Sequence, residues 1–287
     1  MELASLVDQP NKLPTIPKVL QKLIESFNDE DVSVNEIARQ LAADPALSAK
    51  LLRLANSAYF HVSRTVATVD DAVRMLGFVM VRNLVLGNGM VAAFPNIPGI
   101  DLQQFWRHNL YTASASRWLA IAADENGDTA FTLGIMHGIG QLQMHMGMPE
   151  AIAPLDRKIH ILEAGRAELE QGTFGFHYGE VSAALAKIWN FPAFMIDALR
   201  AIPTPLAAEP FSISAGLVHL GAWRSRTEIL GMDDGAVSAS YPVDVGKKLN
   251  LDRSWTPAKP WVTVSTPPKH VMPPLKVLTE GLDAMLD

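Results

Sequence analysis

Asp44-Pro45-Ala46-Leu47-Ser48-Ala49-Lys50-Leu51-Leu52-Arg53-Leu54-Ala55-Asn56-Ser57-Ala58 is the stretch that decides the fold. Asp44 has the short acceptor side chain that caps a helix. Pro45 suits the first helical position, where its missing N–H is no loss. Leu47, Leu51 and Leu54 then share one face as far as Ser57, which predicts that Leu51 and Leu54 are buried. Asn56, polar inside this block, should bond backbone groups and fix a tight turn before Tyr59-Phe60. Upstream, Ser33 and Glu36 have capping-box spacing ahead of Ile37 and Leu41. Ile16, Val19, Leu20, Leu23, Ile24 and Phe27 recur at helical spacing around Pro17. Downstream, Thr68 with Asp71 and then Gly77 bracket a helix over 69–76, and a longer apolar segment covers 78–94.

Pro95-Asn96-Ile97-Pro98-Gly99 breaks the pattern and marks a boundary. Beyond it the spacing predicts a long helix over 101–124, with Phe105, His108, Thr112, Ala115 and Leu119 on one face. A second helix is predicted over 129–146, containing His137, and others over 150–162, 178–189, 193–199 and 212–226. No stretch shows β-branched alternation with hairpin turns. The class is all-α. From Thr227 the prolines 242, 257, 260, 267, 268, 273 and 274 suggest an extended connector. Leu275, Leu278, Leu282 and Met285 then line one face of a terminal helix, expected to dock on its own domain. The expected organisation is a helical lobe over 1–95, a second over 100–226 and a proline-rich extension over 227–287.

The 287 residues include 48% hydrophobic and 19% charged side chains, ample for a core. Twenty-four basic residues against 30 acidic give a formal charge of -6, which argues against nucleic acid as the main partner. Cysteine is absent, so thiol chemistry and disulfides are excluded and a reducing compartment is the simplest home. The apolar run 78–94 is interrupted by Arg82, Asn83 and Asn88 and is short for a membrane span. With no basic, then apolar N-terminal stretch, the expectation is a cytoplasmic protein without membrane contact.

Histidine is the metal-ligating type available. His108, His137 and His177 each fall in or at the start of a predicted helix, and packed helices can point imidazoles into one cavity. A hydrolytic metal centre also wants a carboxylate. The residue after His137 is Gly138, which offers none. Asp101, Asp124, Glu125 and Asp128 sit at helix ends, where capping is the ordinary role. Glu180, one turn after His177, could reach the same cavity or serve the helix dipole. No GxxxxGK[ST] loop or GxSxG elbow is present, and Gly87-Asn88-Gly89 lacks a preceding strand. Arg53, Arg64, Arg74 and Arg82 read as solvated positions with local ion pairs.

The 44–58 block, with Leu13-Pro14-Thr15-Ile16-Pro17 and Asp71-Ala72-Val73-Arg74-Met75-Leu76-Gly77, resembles the HDOD family, the HD-related output domain of bacterial signalling proteins. So do Phe105-Trp106-Arg107-His108, Leu133-Gly134-Ile135-Met136-His137-Gly138-Ile139-Gly140-Gln141-Leu142, His177-Tyr178-Gly179-Glu180-Val181 and Trp189-Asn190-Phe191-Pro192. The resemblance covers about 13–226. It implies a two-lobed all-α fold whose second lobe is related to the HD metal-dependent phosphohydrolases. In active HD enzymes a first histidine, a His-Asp pair and a later aspartate hold the metal. His108 matches the first histidine and His137 that of the pair, while Gly138 replaces the paired aspartate. No aspartate occurs around Val218-His219-Leu220-Gly221-Ala222-Trp223, and Leu199-Arg200-Ala201 stands where relatives often carry His-His. The resemblance therefore implies a non-catalytic regulatory module that binds a partner protein of a signalling pathway. Its vestigial cavity would comprise His108, His137, Gly138, His177 and Glu180 and could take a small-molecule or nucleotide ligand. No cofactor is expected, with a divalent metal on His108, His137 and His177 as the fallback. The alternative is a metal-dependent phosphohydrolase acting on a nucleotide or phosphoester.

Overall fold

A computed structural model describes residues 2–8, 13–14, 16–28, 33–60, 62–251, 255 and 271–285. The described residues form helices and turns with no β-strand. α1 (Leu3–Val7) buries Leu6 against Met144, Met148 and Val181, beyond the expected boundary at 95, and before that boundary lie α2 (Lys18–Glu25), α3 (Val34–Ala43), α4 (Pro45–Ala55), α5 (Val69–Leu76) and α6 (Phe78–Ala93). After it come α7 (Leu102–Ala122), α8 (Gly127–Met136), α9 (Ile139–Gly147), α10 (Pro149–Asp156), α11 (Arg166–Phe174), α12 (Tyr178–Ile188), α13 (Ala193–Ala201) and α14 (Ile213–Ile229). Then follow α15 (Asp234–Ala239), α16 (Val243–Lys248) and α17 (Leu275–Leu278).

The caps act as the sequence predicts. Asp44 accepts from the Ala46 and Leu47 N–H groups at 3.0 and 3.1 Å, Ser33 from Glu36 and Thr68 from Asp71. Gly77, at φ 82°, ends α5 in a backbone conformation that a side chain would strain. Leu51 and Leu54 are buried. Asn56 closes the following loop with three backbone bonds of 2.8 Å: its Nδ2 donates to the Leu52 and Val66 carbonyls, and its Oδ1 accepts from the Val66 N–H. Arg82 donates to the Ser26 carbonyl at 3.1 Å with its guanidinium 3.6 Å from the Phe27 ring centroid, and Arg64 lies 3.6 Å from Asp71.

One apolar core runs through both lobes, from Leu20 and Leu54 to Leu133, Leu185 and Val218. A second cluster gathers Leu217, Trp223, Tyr241, Trp255 and Leu275. Residues 227–248 are more helical than their composition suggests: α14 continues to Ile229 and α15 and α16 follow. Pro257, Pro260, Pro267 and Pro268 lie outside the described residues, as does the Met285 side chain. The tail docks on its own domain but is not one helix. Gly281, at φ 86°, breaks it, so Leu275 joins the second cluster while Leu282 reaches the main core in a 3-10 turn. Among the described residues no single helix is long and apolar enough to cross a membrane.

Candidate functional site

The predicted 129–146 helix is broken where it matters. His137 ends α8 and Gly138 starts α9. Ser182 on α12 holds the break open, accepting from the Gly140 N–H at 2.8 Å and donating to the His137 carbonyl at 3.0 Å. Glycine also sets the helix spacing: a Cβ at Gly134 would strike the Ala113 backbone, and one at Gly221 would strike Ser116 and the Thr112 carbonyl. α7 is thereby pressed between α8 and α14.

That packing brings the His108 and His137 rings together, 5.3 Å between centroids. They line a partly enclosed cavity of about 40 Å³, with Gln141, Ile161–Ala164, Tyr178, Ile202, Pro203, His219, Ala222 and Arg226. Each of its three histidines has its Nδ1 engaged. His137 Nδ1 meets the Gly134 carbonyl at 2.7 Å and His219 Nδ1 the Ile202 carbonyl at 2.8 Å. A carbonyl only accepts, so Nδ1 carries the proton in both. The Ser225 hydroxyl donates to the His108 carbonyl at 3.0 Å and lies 2.8 Å from His108 Nδ1, which satisfies every group when Nδ1 carries the proton there too. In the neutral rings each Nε2 is then a bare lone pair. Burial first, and the Arg226 charge besides, push His137 and His219 down to about 4; burial and the His137 ring push His108 well down. Burial likewise lowers Arg226 and raises the Tyr178 phenol, with Glu170 adding to the latter.

Of the five residues expected in the cavity, His108 and His137 line it, and Gly138, His177 and Glu180 do not. His177 caps α12, its Nδ1 accepting from the Gly179 N–H at 3.1 Å, while Glu180 Oε2 accepts from the His177 N–H at 3.0 Å. The pair faces a separate shallow groove with Phe194, Asp197 and Arg200, and Tyr178 takes the place toward the cavity. The three-histidine fallback site over His108, His137 and His177 is therefore not assembled. Gly138 adjoins His137, but a Cβ there would lie 2.9 Å from Phe105 Cζ and 3.1 Å from Asn109 Oδ1. Among the described residues no three His, Cys, Asp or Glu side chains are placed to hold a metal ion. The donor set does not suit one either: the cavity has no buried carboxylate to balance a dication, and it carries the Arg226 guanidinium.

Sequence reasoning missed His219 and Arg226 as members of the site. Their signal was available, since positions 219, 222 and 226 on a predicted helix share one face. It also missed α11 and the buried group around Arg166. Arg166 Nε donates to Glu170 Oε1 at 2.8 Å, and its Nη1 lies 2.8 Å from Asp156 and donates to the Ile159 carbonyl at 3.2 Å. Glu170 Oε2 accepts from the Tyr178 N–H at 2.8 Å, tying this group to the cavity wall.

The chain belongs to the HDOD family: the HDOD domain model matches residues 13–205. The match stops short of α14, so the wall bearing His219 and Arg226 lies beyond it. A curated protein of Treponema pallidum (strain Nichols), itself uncharacterized, is 25% identical over 206 residues, 69% of this chain. The chain spans 39% of that relative's length. Among solved structures, a Shewanella amazonensis SB2B protein whose name assigns it provisionally to the phosphohydrolases is 28% identical, with TM-score 0.74 and coverage of 99% of this chain and 97% of that one. A Geobacter sulfurreducens HDOD protein of unknown function is 21% identical, with TM-score 0.65 over 86% of this chain and 97% of its own. A Marinobacter aquaeolei VT8 protein provisionally named for signal transduction shares the fold at 24% identity and TM-score 0.65, over 84% of this chain and 54% of its own.

Proposed function

We propose that this chain is a non-catalytic signalling module of the cytoplasm that works by binding a partner protein, with its HD-type cavity kept as a ligand site. The observation that carries this reading is the environment of Gly138. The space next to its Cα, where a metal-binding carboxylate would project, is occupied by the Phe105 ring and Asn109. An aspartate there would have to displace an aromatic side chain that is itself buried. Arg226 opposes a divalent cation in the same cavity. The purified chain should hydrolyse neither phosphodiesters nor phosphomonoesters with manganese, nickel or zinc. Gly138→Asp should not gain turnover, and metal-dependent turnover that disappears in His137→Ala would refute the reading. A partner protein should be recoverable by co-purification from the native cytoplasm.

A phosphohydrolase reading is favoured by one observation, the 5.3 Å approach of His108 and His137, together with the name of the Shewanella neighbour. Two imidazoles can share a metal, but the carboxylates that balance its charge and activate its water are wanting here. The same screen separates the two.

A further inference from the structure

Arg226 is a partly buried cation whose attractive neighbours are the Tyr178 phenol and the exposed Glu163 carboxylate. Its Nε is buried with no acceptor, and no hydrogen bond or ion pair reaches its guanidinium among the described residues. The groups around it are His108 from α7, His137 from the α8–α9 junction, His160 and Glu163 from the segment before α11, Tyr178 from α12, and His219 on its own helix. Glu163 is the one carboxylate of this set; it is exposed, and its Oε1 accepts from the His160 N–H at 3.4 Å. Arg226 is only partly buried, but a guanidinium whose Nε is shut from solvent without an acceptor, beside a cavity, favours an acceptor there.

The three histidines restrict what that acceptor can be. Among the described residues no hydrogen bond reaches the Nε2 of any of the three, so a ligand that brings a donor suits the site better than one that brings none. A divalent cation would face the Arg226 charge, and among the described residues no three His, Cys, Asp or Glu side chains are placed to hold one. Sulfate would satisfy Arg226 but has no hydrogen to donate. A phosphoryl group does both below its second pKa of about 6: an ionised oxygen meets the guanidinium while a P–OH reaches an imidazole. About 40 Å³ accommodates a tetrahedral oxyanion, not a nucleoside. We infer that the cavity binds a phosphoryl group, held by Arg226 through an ionised oxygen and by a P–OH donated to one Nε2 among those of His108, His137 and His219. The inference leans on the non-catalytic reading only in that the group is held and not cleaved.

Calorimetric titration of the whole chain with inorganic phosphate, glycerol 2-phosphate and sulfate at about pH 5.5 tests it, because a phosphate monoester, with a second pKa of about 6, mostly keeps one P–OH there and inorganic phosphate keeps at least one. At least one phosphoryl ligand should bind saturably and at least tenfold more tightly than sulfate; the tighter of the two identifies a free or an esterified source. Arg226→Met should abolish that binding yet melt no lower than the parent in phosphate-free buffer, since a partly buried charge is replaced by an apolar chain. Should that variant not fold, Arg226→Lys carries the test, with at least a tenfold loss from removal of the bidentate fork. Equal affinity for phosphate and sulfate, no binding at all, or phosphate binding unchanged in the Arg226 variants would overturn the assignment. So would zinc binding that strengthens when Arg226 is removed. Release of phosphate from glycerol 2-phosphate would instead defeat the non-catalytic reading and leave the binding result standing.

Discussion

Two buried polar clusters border the segment 157–165, and they are resolved in opposite ways. On one side Arg166, fully buried, lies between Asp156 and Glu170, with His145 Nε2 3.1 Å from the other Asp156 oxygen. Its charge is compensated within the protein, and the bonds run from α9 through α10 and α11 to the backbone of Tyr178. On the other side Arg226 and three imidazoles share a cavity with no such closure. The same residue type is a strut where carboxylates surround it and a binding element where they do not. Burial alone tells neither role; the inventory of partners does.

Arg166→Met should have the largest effect. It leaves Glu170, itself without solvent exposure, as an unpaired buried carboxyl, and breaking a buried pair in this way costs about 3–5 kcal/mol. Burial already raises the Glu170 carboxyl against the pull of Arg166, so the variant should protonate it, and adding Glu170→Leu should recover part of the loss. Urea denaturation measures this. A loss below about 1 kcal/mol would erase the distinction between the clusters, because an exposed pair costs no more than that.

The cavity cluster should announce itself in acid. His137 and His219 are held near 4 in the fold, against 6.5 for an ordinary histidine. Between those values the unfolded chain takes up protons that the folded chain refuses. The contribution of these two histidines is therefore complete above pH 6.5, falls as pH drops toward 4 and levels off below. Each histidine accounts for about 3 kcal/mol at most. Arg226 contributes to both depressions, so Arg226→Met should make this acid limb shallower. A limb of unchanged steepness in that variant would mean that Arg226 does not face the imidazoles.

How far the sequence reached follows the same division. The first lobe was legible almost element by element, because Asp44, Ser33, Thr68 and Gly77 act through bonds a few residues away. His108 and His137 were placed by family likeness, and the fold does bring them together. The rest of the site depends on separations no local pattern carries. Ser182 acts across 42 residues on Gly140, and Ser225 across 117 on His108. The α8–α9 break was hidden for the same reason, since an apolar run continues through it. Arg166 was invisible because an arginine followed four residues later by a glutamate reads as a solvated helix face.

His177 and Glu180 give the smallest effect and the sharpest check on where the cavity ends. Both ends of their capping box are made: the His177 ring accepts from the Gly179 N–H, and Glu180 returns a bond to the His177 N–H. A cap of this kind contributes about 1 kcal/mol, so His177→Ala and Glu180→Ala should each lower stability by that order. Because both act on the same turn of α12, the double variant should cost less than the sum. Neither residue lines the cavity, so phosphate affinity and the acid limb set by His137 and His219 should stay as they are. The cap does sit next to Tyr178, whose N–H is fixed independently by Glu170 at 2.8 Å. That second anchor keeps the cavity wall in place when the cap is removed. A change in phosphate affinity with the Tyr178–Glu170 bond intact would put His177 back among the ligand-binding residues and move the boundary between the two clusters.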